Sequence, residues 1–249
     1  MQSPSRASTA PALDLPPPFS LVTLREVGDA FAHATKIAAE AGAGTLVHVG
    51  RFDLVEFAVV LEPEEPLSTA RRAFYAGMVA LRDALLVHAP PDRTIAFAWP
   101  DAINVDGGLI GGGRLAWPEH AVETETPDWL VFGASVRTVA MGEQEAGLRP
   151  LAAALHEEGF DDLGSGRLVE GFARHLMVAV DAWQANEFAT VTRTYLHHLQ
   201  TEKGAIPALD RNGDLLVRWR GQKEADRHEL IPALAVPSWL DPATGGPRT

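Results

Sequence analysis

The chain has 249 residues, a formal net charge of −12 and no cysteine. Without cysteine it can form no disulfide, no thiolate metal site and no cysteine nucleophile. The acidic balance argues against nucleic acid as a partner, since binding a phosphate backbone requires a basic face. No apolar stretch is long enough to span a membrane, so we expect no membrane association and a cytoplasmic location.

The first half of the chain predicts four strands and two helices before the central hairpin. Residues 1–18 are rich in Ser, Ala and Pro and predict a disordered lead-in. Apolar alternation and helical spacing then predict strands at 19–24, 45–49, 54–61 and 95–98, with helices at 25–41 and 67–88.

The second half predicts one more long strand and then mostly helices. The strand covers 129–139, and helices are expected at 148–158, 166–184 and 186–200. A turn and strand at 204–216 and a short strand at 230–236 would form a small β module. We therefore expect a main domain at 19–200, a C-terminal β module at 201–240 and a frayed tail at 241–249. This order of elements is typical of the α+β class.

The most informative stretch runs from Ala98 to Leu115 and predicts two strands joined by an Asp106-Gly107 turn. The second strand contains Gly111-Gly112-Gly113, although glycine weakens a strand. Such a run marks a close approach of a ligand or of another chain segment. A phosphate cradle and close packing against a helix are equal alternatives here, because the Lys-Ser/Thr end of a P-loop is missing.

This hairpin, entered through Trp99-Pro100-Asp101, resembles the central hairpin of the biotin and lipoate protein ligases. The element order from Phe19 to Val236 resembles their catalytic domain followed by a small C-terminal module. The resemblance implies a mixed sheet flanked by helices. It also implies a small carboxylic acid or acyl ligand, ATP and magnesium in an active member, and an acceptor protein whose lysine receives the acyl group.

The positions that carry over from the family are Gly50, Arg51, Trp99, Pro100, Gly112 and Gly133, and the other candidates are residues that could act beside them if the protein is an active member. Arg51 and Arg114 would contact phosphate or carboxylate, and Asp101 would hold magnesium, so these three are the candidate catalytic residues. No separate metal site is predicted. The candidate ligand-binding residues are Gly50, Trp99, Pro100, Gly111, Gly112, Gly113, Gly133 and Ser135. For Trp99, a place in the core is the alternative.

The sequence also departs from the family pattern. Ala102 stands in place of a second acidic residue, and Leu109 lies at or next to the position of a catalytic lysine. The turn at 50–53 is too short to close over a ligand as a lid. Three functions stay open: an ATP-dependent ligase, a non-catalytic ligand-binding or regulatory protein, and a transferase that takes an already activated acyl group. No residue makes ATP or magnesium certain, and none fixes a homodimer, which the family forms through a sheet face or edge.

The direction of the Arg114 side chain decides whether it can replace the missing lysine. Strict alternation from Leu109 places Gly111 and Gly113 on the same face as Leu109 and Arg114 on the other. A bulge in the glycine run would reverse this outcome. A weaker candidate cluster combines Asp29, His33, His48 and Arg51.

Overall fold

A computed structural model of the chain describes residues 13–140, 151–161, 163–185 and 188–249. The main sheet contains seven strands, which are β1 (Ser20–Leu24), β2 (Thr45–Val49), β3 (Leu54–Leu61), β4 (Ile95–Ala98), β5 (Ala102–Val105), β6 (Gly108–Ala116) and β7 (Leu130–Arg137). Their order across the sheet is β1-β2-β3-β7-β6-β5-β4. β1 and β2 run parallel, and the other neighbours are antiparallel. A mixed sheet with separate helices confirms the predicted α+β class.

Helices cover both faces of this sheet. They are α1 (Ala30–Ala41), α2 (Leu67–Ala70), α3 (Ala73–Leu86), α4 (Ser165–Gln184), α5 (Phe188–His197) and α6 (Leu230–Ala235). α3 and α4 pack on one face, which we call the α3 face, over a core that includes Phe74, Phe132 and Phe172. α1 packs on β2, β3 and β7 from the opposite side, which we call the α1 face. None of the described helices is long and apolar enough to cross a membrane.

The C-terminal module is a second sheet of three antiparallel strands, β8 (Ala205–Leu209), β9 (Leu215–Trp219) and β10 (Asp226–His228). The turn between β8 and β9 is held by Asp210, whose carboxylate accepts the backbone amides of Asn212 and Asp214. The strand predicted at 230–236 is wrong, because these residues form α6. Leu230 and Leu234 lie one helical turn apart, and both are buried, which explains the apolar pattern.

The helix predicted at 25–41 begins later, at Ala30, because two carboxylates cap it there. Asp29 accepts the amide of Ala32 and Glu56 accepts the amide of Ala30. The helix predicted at 67–88 is interrupted between α2 and α3. Phe74 and Tyr75 donate to carbonyls three residues back, so the chain tightens at this point.

The helix predicted at 148–158 is absent from its described part, residues 151–158, while 148–150 lie outside the described residues. Backbone groups that a helix would use are paired with strands instead. Leu109 exchanges two hydrogen bonds with Leu151 and Ala153, and Leu155 donates to Arg137. This segment therefore extends the sheet at the start of β6.

Both chain ends differ from the expectation as far as they are described. Residues 1–12 of the predicted lead-in lie outside the described residues, but Asp14 contacts α4 through Glu170 and Arg174. The tail from Asp241, predicted to be frayed, folds back onto the sheet. Arg248 donates its backbone amide to Trp239, and Leu240 pairs with Pro247.

The packing of α3 on the sheet generates a stability prediction. Gly77 lies directly against the buried ring of Phe132, and a methyl group there would overlap that ring. We expect Gly77→Ala to lower the free energy of unfolding by about 1–3 kcal/mol, since overpacking a core forces neighbours to move. Urea unfolding measures the change.

The matched control is Gly171→Ala in α4, where a methyl group would meet Ala84 at an ordinary 3.4 Å. This substitution should be neutral or stabilising by about 0.5–1 kcal/mol, because alanine favours a helix over glycine. Equal stability of wild type and Gly77→Ala would contradict the described contact between α3 and Phe132.

Candidate functional site at Arg114

A bulge in the central hairpin sets the direction of Arg114. Ile103 pairs with Gly111, but the next residue, Asn104, pairs with Leu109, so Ile110 is an extra residue on β6. Residues in register share a face, as do residues two apart on one strand. Leu109, Gly112 and Arg114 therefore share the α1 face, and strict alternation gives the wrong side for Arg114. A bulge is therefore present, and it lies at Ile110, directly before the glycine run in which one was considered from the sequence.

Arg114 projects into a cleft on the α1 face, which we call the Arg114 cleft. The sheet and α1 contribute Asp29, Phe31, Glu56, Arg114, Gly133 and Ser135 to its walls, and the C-terminal chain contributes Trp239, Leu240 and Gly245. The guanidinium carbon of Arg114 lies 4.1 Å from the centre of the Phe31 ring, a cation–π contact. The hydrogen bonds and ion pairs of the described residues include no partner for this guanidinium.

Two carboxylates near Arg114 affect its pKa without forming an ion pair with it. Burial lowers the pKa of Arg114, while the nearby charges of Asp29 and Glu56 act to raise it. Both carboxylates are already engaged at the N-terminus of α1, where Glu56 accepts the Ala30 amide at 2.7 Å. Because Asp29 and Glu56 accept backbone amides of α1 and do not pair with Arg114, the Arg114 guanidinium remains available to an incoming anion.

Ser135 adds an unused hydroxyl to the same face. It lies opposite Gly112 on β6 and opposite Glu56 on β3, and only 4% of it is exposed. Its Oγ is buried and has no hydrogen-bond partner within the described structure. An unpartnered buried hydroxyl costs free energy, which a bound polar group would recover.

Asp101 is a buried residue whose carboxylate is hydrogen-bonded to Ser238, and it does not face an open cleft. It is completely buried, and its two oxygens accept the backbone amide and the hydroxyl of Ser238 at 2.9 and 2.6 Å. Burial raises the pKa of Asp101, and these two hydrogen bonds partly offset the rise. Its predicted role as a magnesium ligand is not supported by this environment.

Of the remaining predicted residues, Gly133 lines the cleft and Gly112 contacts one of its lining residues. The absence of a side chain at Gly133 makes room for the Phe31 ring, and Gly112 contacts Trp239. Gly113 offers its carbonyl to the Trp239 indole, but its α-carbon faces Met78 on the α3 face. Gly111 packs on the backbone of Ser135 with φ of +156°.

The lining of the cleft does not include Trp99, Pro100, Gly50 or Arg51. Trp99 donates its indole NH to the Tyr75 hydroxyl, and Pro100 accepts the Tyr195 hydroxyl, so both belong to the α3 side. Arg51 pairs with Asp53 in the short turn after Gly50, although its charge still acts on Glu56.

The weaker cluster of Asp29, His33, His48 and Arg51 does not form. Val47 and Val49 pack with α1, so His48 between them faces the opposite side of the sheet from Asp29. In the described ranges, no group of three or more His, Asp or Glu side chains could hold a metal ion.

Sequence reasoning missed the contribution of the C-terminal chain. Ser238 and Trp239 contact Asp101 and Gly113 across 137 and 126 residues of sequence, a separation that local patterns cannot reveal. One signal was present: a Trp-Leu pair within a segment rich in Pro, Gly and Thr is apolar enough to be an anchor.

The profile of the Biotin/lipoate A/B protein ligase family matches residues 15–197. The chain therefore belongs to this family. A comparison with curated proteins gives no match.

Solved structures share the fold. A biotin protein ligase-like protein of unknown function from Silicibacter sp. TM1040 is 25% identical, with a TM-score of 0.76 over 88% of this chain and 97% of that chain. Biotin protein ligase from Aquifex aeolicus in complex with biotin and ATP is 13% identical, with a TM-score of 0.60, covering 84% and 98%. Biotin protein ligase from Leishmania major in complex with biotin is 16% identical, with a TM-score of 0.54, covering 86% and 100%. These likenesses confirm the ligase-like fold.

The half-buried Glu56 side chain generates a prediction about pH dependence. Burial raises the pKa of Glu56 above its ordinary value of 4.5, and the Ala30 amide partly opposes this. An acid whose pKa is raised on folding stabilises the folded state below its unfolded pKa, and this contribution is lost as the pH rises through the folded pKa. Glutamine keeps the acceptor oxygen for Ala30 but does not ionise.

We therefore expect the stability of Glu56→Gln relative to wild type to be greater at pH 7 than at pH 4, that is, the free energy of unfolding of the variant minus that of wild type rises with pH. Urea unfolding at both pH values measures this difference. Glu40→Gln, at an exposed position near the end of α1, controls for the loss of one charge. A relative stability that falls from pH 4 to pH 7 would contradict the raised pKa that partial burial gives Glu56.

Proposed function

We propose that this protein binds a small carboxylic acid, or the acyl group derived from one, in the Arg114 cleft. The observation that carries the proposal is the Arg114 guanidinium, which is partly buried and has no carboxylate or hydrogen-bond partner within the described structure. The planar guanidinium matches a carboxylate through two parallel hydrogen bonds. The free Ser135 hydroxyl on the same face supplies a further donor for such a ligand.

The comparisons support this class of ligand. The Aquifex ligase was solved with biotin and ATP, and the Leishmania ligase with biotin, and biotin carries a carboxylate. The apolar ring of Phe31 and the buried strand surface beside Arg114 suit an aliphatic chain attached to that carboxylate.

The residues of this chain do not fit magnesium at the position expected from the resemblance. Both oxygens of Asp101 accept hydrogen bonds from Ser238, and the next residue, Ala102, has no ligating group. Leu109 offers no charge at or beside the lysine position. These features favour binding of the acid without its adenylation, which is the non-catalytic alternative.

Formation of an acyl-adenylate and its transfer to a lysine of an acceptor protein is the second candidate function. It is supported by the charges of Arg51 and Arg114, which both act on Glu56 and would both be near a phosphate bound there. Incubation with acid and Mg-ATP tests it by measuring pyrophosphate release. We expect none above the level of an Arg114→Ala variant, and acid-dependent release by wild type would establish the ligase function.

The cytoplasmic location and a homodimer stay predictions.

Replacement of Arg114 tests the ligand proposal. We expect biotin, lipoate or octanoate to raise the melting temperature of the wild type, since a ligand at a hundred times its Kd adds about 2.7 kcal/mol. Arg114→Ala should weaken binding of that acid roughly tenfold to hundredfold, the equivalent of about 1.5–3 kcal/mol for hydrogen bonds to a charged group. Thermal shift and calorimetric titration measure both effects.

Arg218→Ala, on the exposed side of β9, is the matched control and should bind the acid like wild type. Arg114→Lys should bind with intermediate affinity, because lysine keeps the charge but loses the two parallel hydrogen bonds. Unchanged affinity in Arg114→Ala would refute the proposed role of this residue.

A further inference from the structure

We propose that the C-terminal segment, residues 238–248, is an internal occupant of the Arg114 cleft that must withdraw before an acid can bind. The inference rests on the proposed function of the cleft and adds the regulation of access to it.

One end of the segment is anchored by Trp239 and Ser238. Trp239 is only 1% exposed, and its indole NH donates to the Gly113 carbonyl at 3.1 Å. The ring lies against the α-carbon of Gly112, where any side chain would overlap it. Ser238 holds both oxygens of Asp101. The glycine run of β6 thus admits an indole from the same chain.

The other end of the segment is held by Arg137 at the end of β7. Arg137 donates to the carbonyls of Pro247 and Arg248, and the Arg248 amide donates to the Trp239 carbonyl at 2.8 Å. The bridge between Leu240 and Pro247 closes the segment into a loop. Between its two anchors, the loop contributes Leu240 and Gly245 to the cleft that Ser135 and Arg114 also line.

With the segment in place, little space remains in the cleft. The free volume enclosed by Arg114, Ser135 and Glu56 on one side and Trp239, Leu240 and Gly245 on the other is about 20 Å³. That space suits a single water molecule. A carboxylic acid with an aliphatic chain has no room beside Arg114 until Trp239 moves away.

The composition of the segment suits a reversible release. Residues 242–245 are exposed, and the main apolar anchor is the single indole of Trp239. A segment with few apolar contacts opens at a lower free-energy cost than the whole domain. The apparent Kd of an acid then equals its intrinsic Kd divided by the fraction of molecules in which the segment is released.

Arginine modification by phenylglyoxal tests this gate without any acid. The variants are Trp239→Ala and, as a milder change that keeps the indole, Ser238→Ala; their folding is checked by thermal unfolding. Mass spectrometry follows the rate at Arg114 and at the exposed Arg218 as an internal reference. We expect the rate at Arg114 to rise roughly tenfold in Trp239→Ala and by less in Ser238→Ala, with Arg218 unchanged.

Trp219→Ala, in the C-terminal sheet, is the matched tryptophan control and should leave the Arg114 rate at the wild-type value. An Arg114 rate that stays at the wild-type value in folded Trp239→Ala and Ser238→Ala would overturn the gate.

Acid binding to the same proteins separates this inference from the proposed function. If the segment gates the cleft, octanoate or biotin should bind Ser238→Ala more tightly than wild type, and hydrogen exchange of residues 238–248 should accelerate when acid is added to wild type. Equal affinities with an unchanged exchange pattern would overturn the gate and leave the acid site standing. A faster Arg114 reaction in variants that bind no acid would support the gate and refute the proposed function.

Discussion

A single register shift between β5 and β6 decides which side chains face the Arg114 cleft. Because Ile110 is an extra residue, Leu109 and Arg114 point to the same side of the sheet. Without the bulge, Arg114 would point towards Met78 and Phe132, among apolar side chains where an unpaired charge is costly. The bulge therefore places Arg114, whose guanidinium has no hydrogen-bond or ion-pair partner in the described structure, in the cleft with Phe31 and Ser135. The proposed ligand site depends on this placement.

The glycine run next to the bulge serves packing from both sides. Gly111 allows the backbone of Ser135 to approach, Gly112 receives the indole of Trp239, and Gly113 faces Met78 on the α3 face. Of the two alternatives for this run, close packing is the one that the structure supports, with the C-terminal chain as an additional neighbour. The Trp239 indole joins this packing by donating to the Gly113 carbonyl.

Much of the fold could be predicted from local pattern, while the site depended on long-range contacts. β2, β3 and β7 were recognisable as apolar runs, and α4 by helical spacing, because each buries a regular face. Residues 151–158 have helical spacing, yet their amides pair with Leu109 and Arg137 instead. Arg114 and Ser135 were named from the sequence, but Trp239 was not, since its partner Gly113 is 126 residues away. Trp99 is partly buried and packs against the core, which is close to the alternative role considered for it in the sequence.

The most direct test of the site is a crystal structure of the wild-type protein grown with each acid that stabilises it. If the acid binds in the Arg114 cleft, its carboxylate will contact the guanidinium of Arg114, and Trp239 will have moved away from Gly112. A structure with the acid elsewhere, for example in the larger cavity lined by Trp183 and Phe188, and with Arg114 still unpaired, would contradict it.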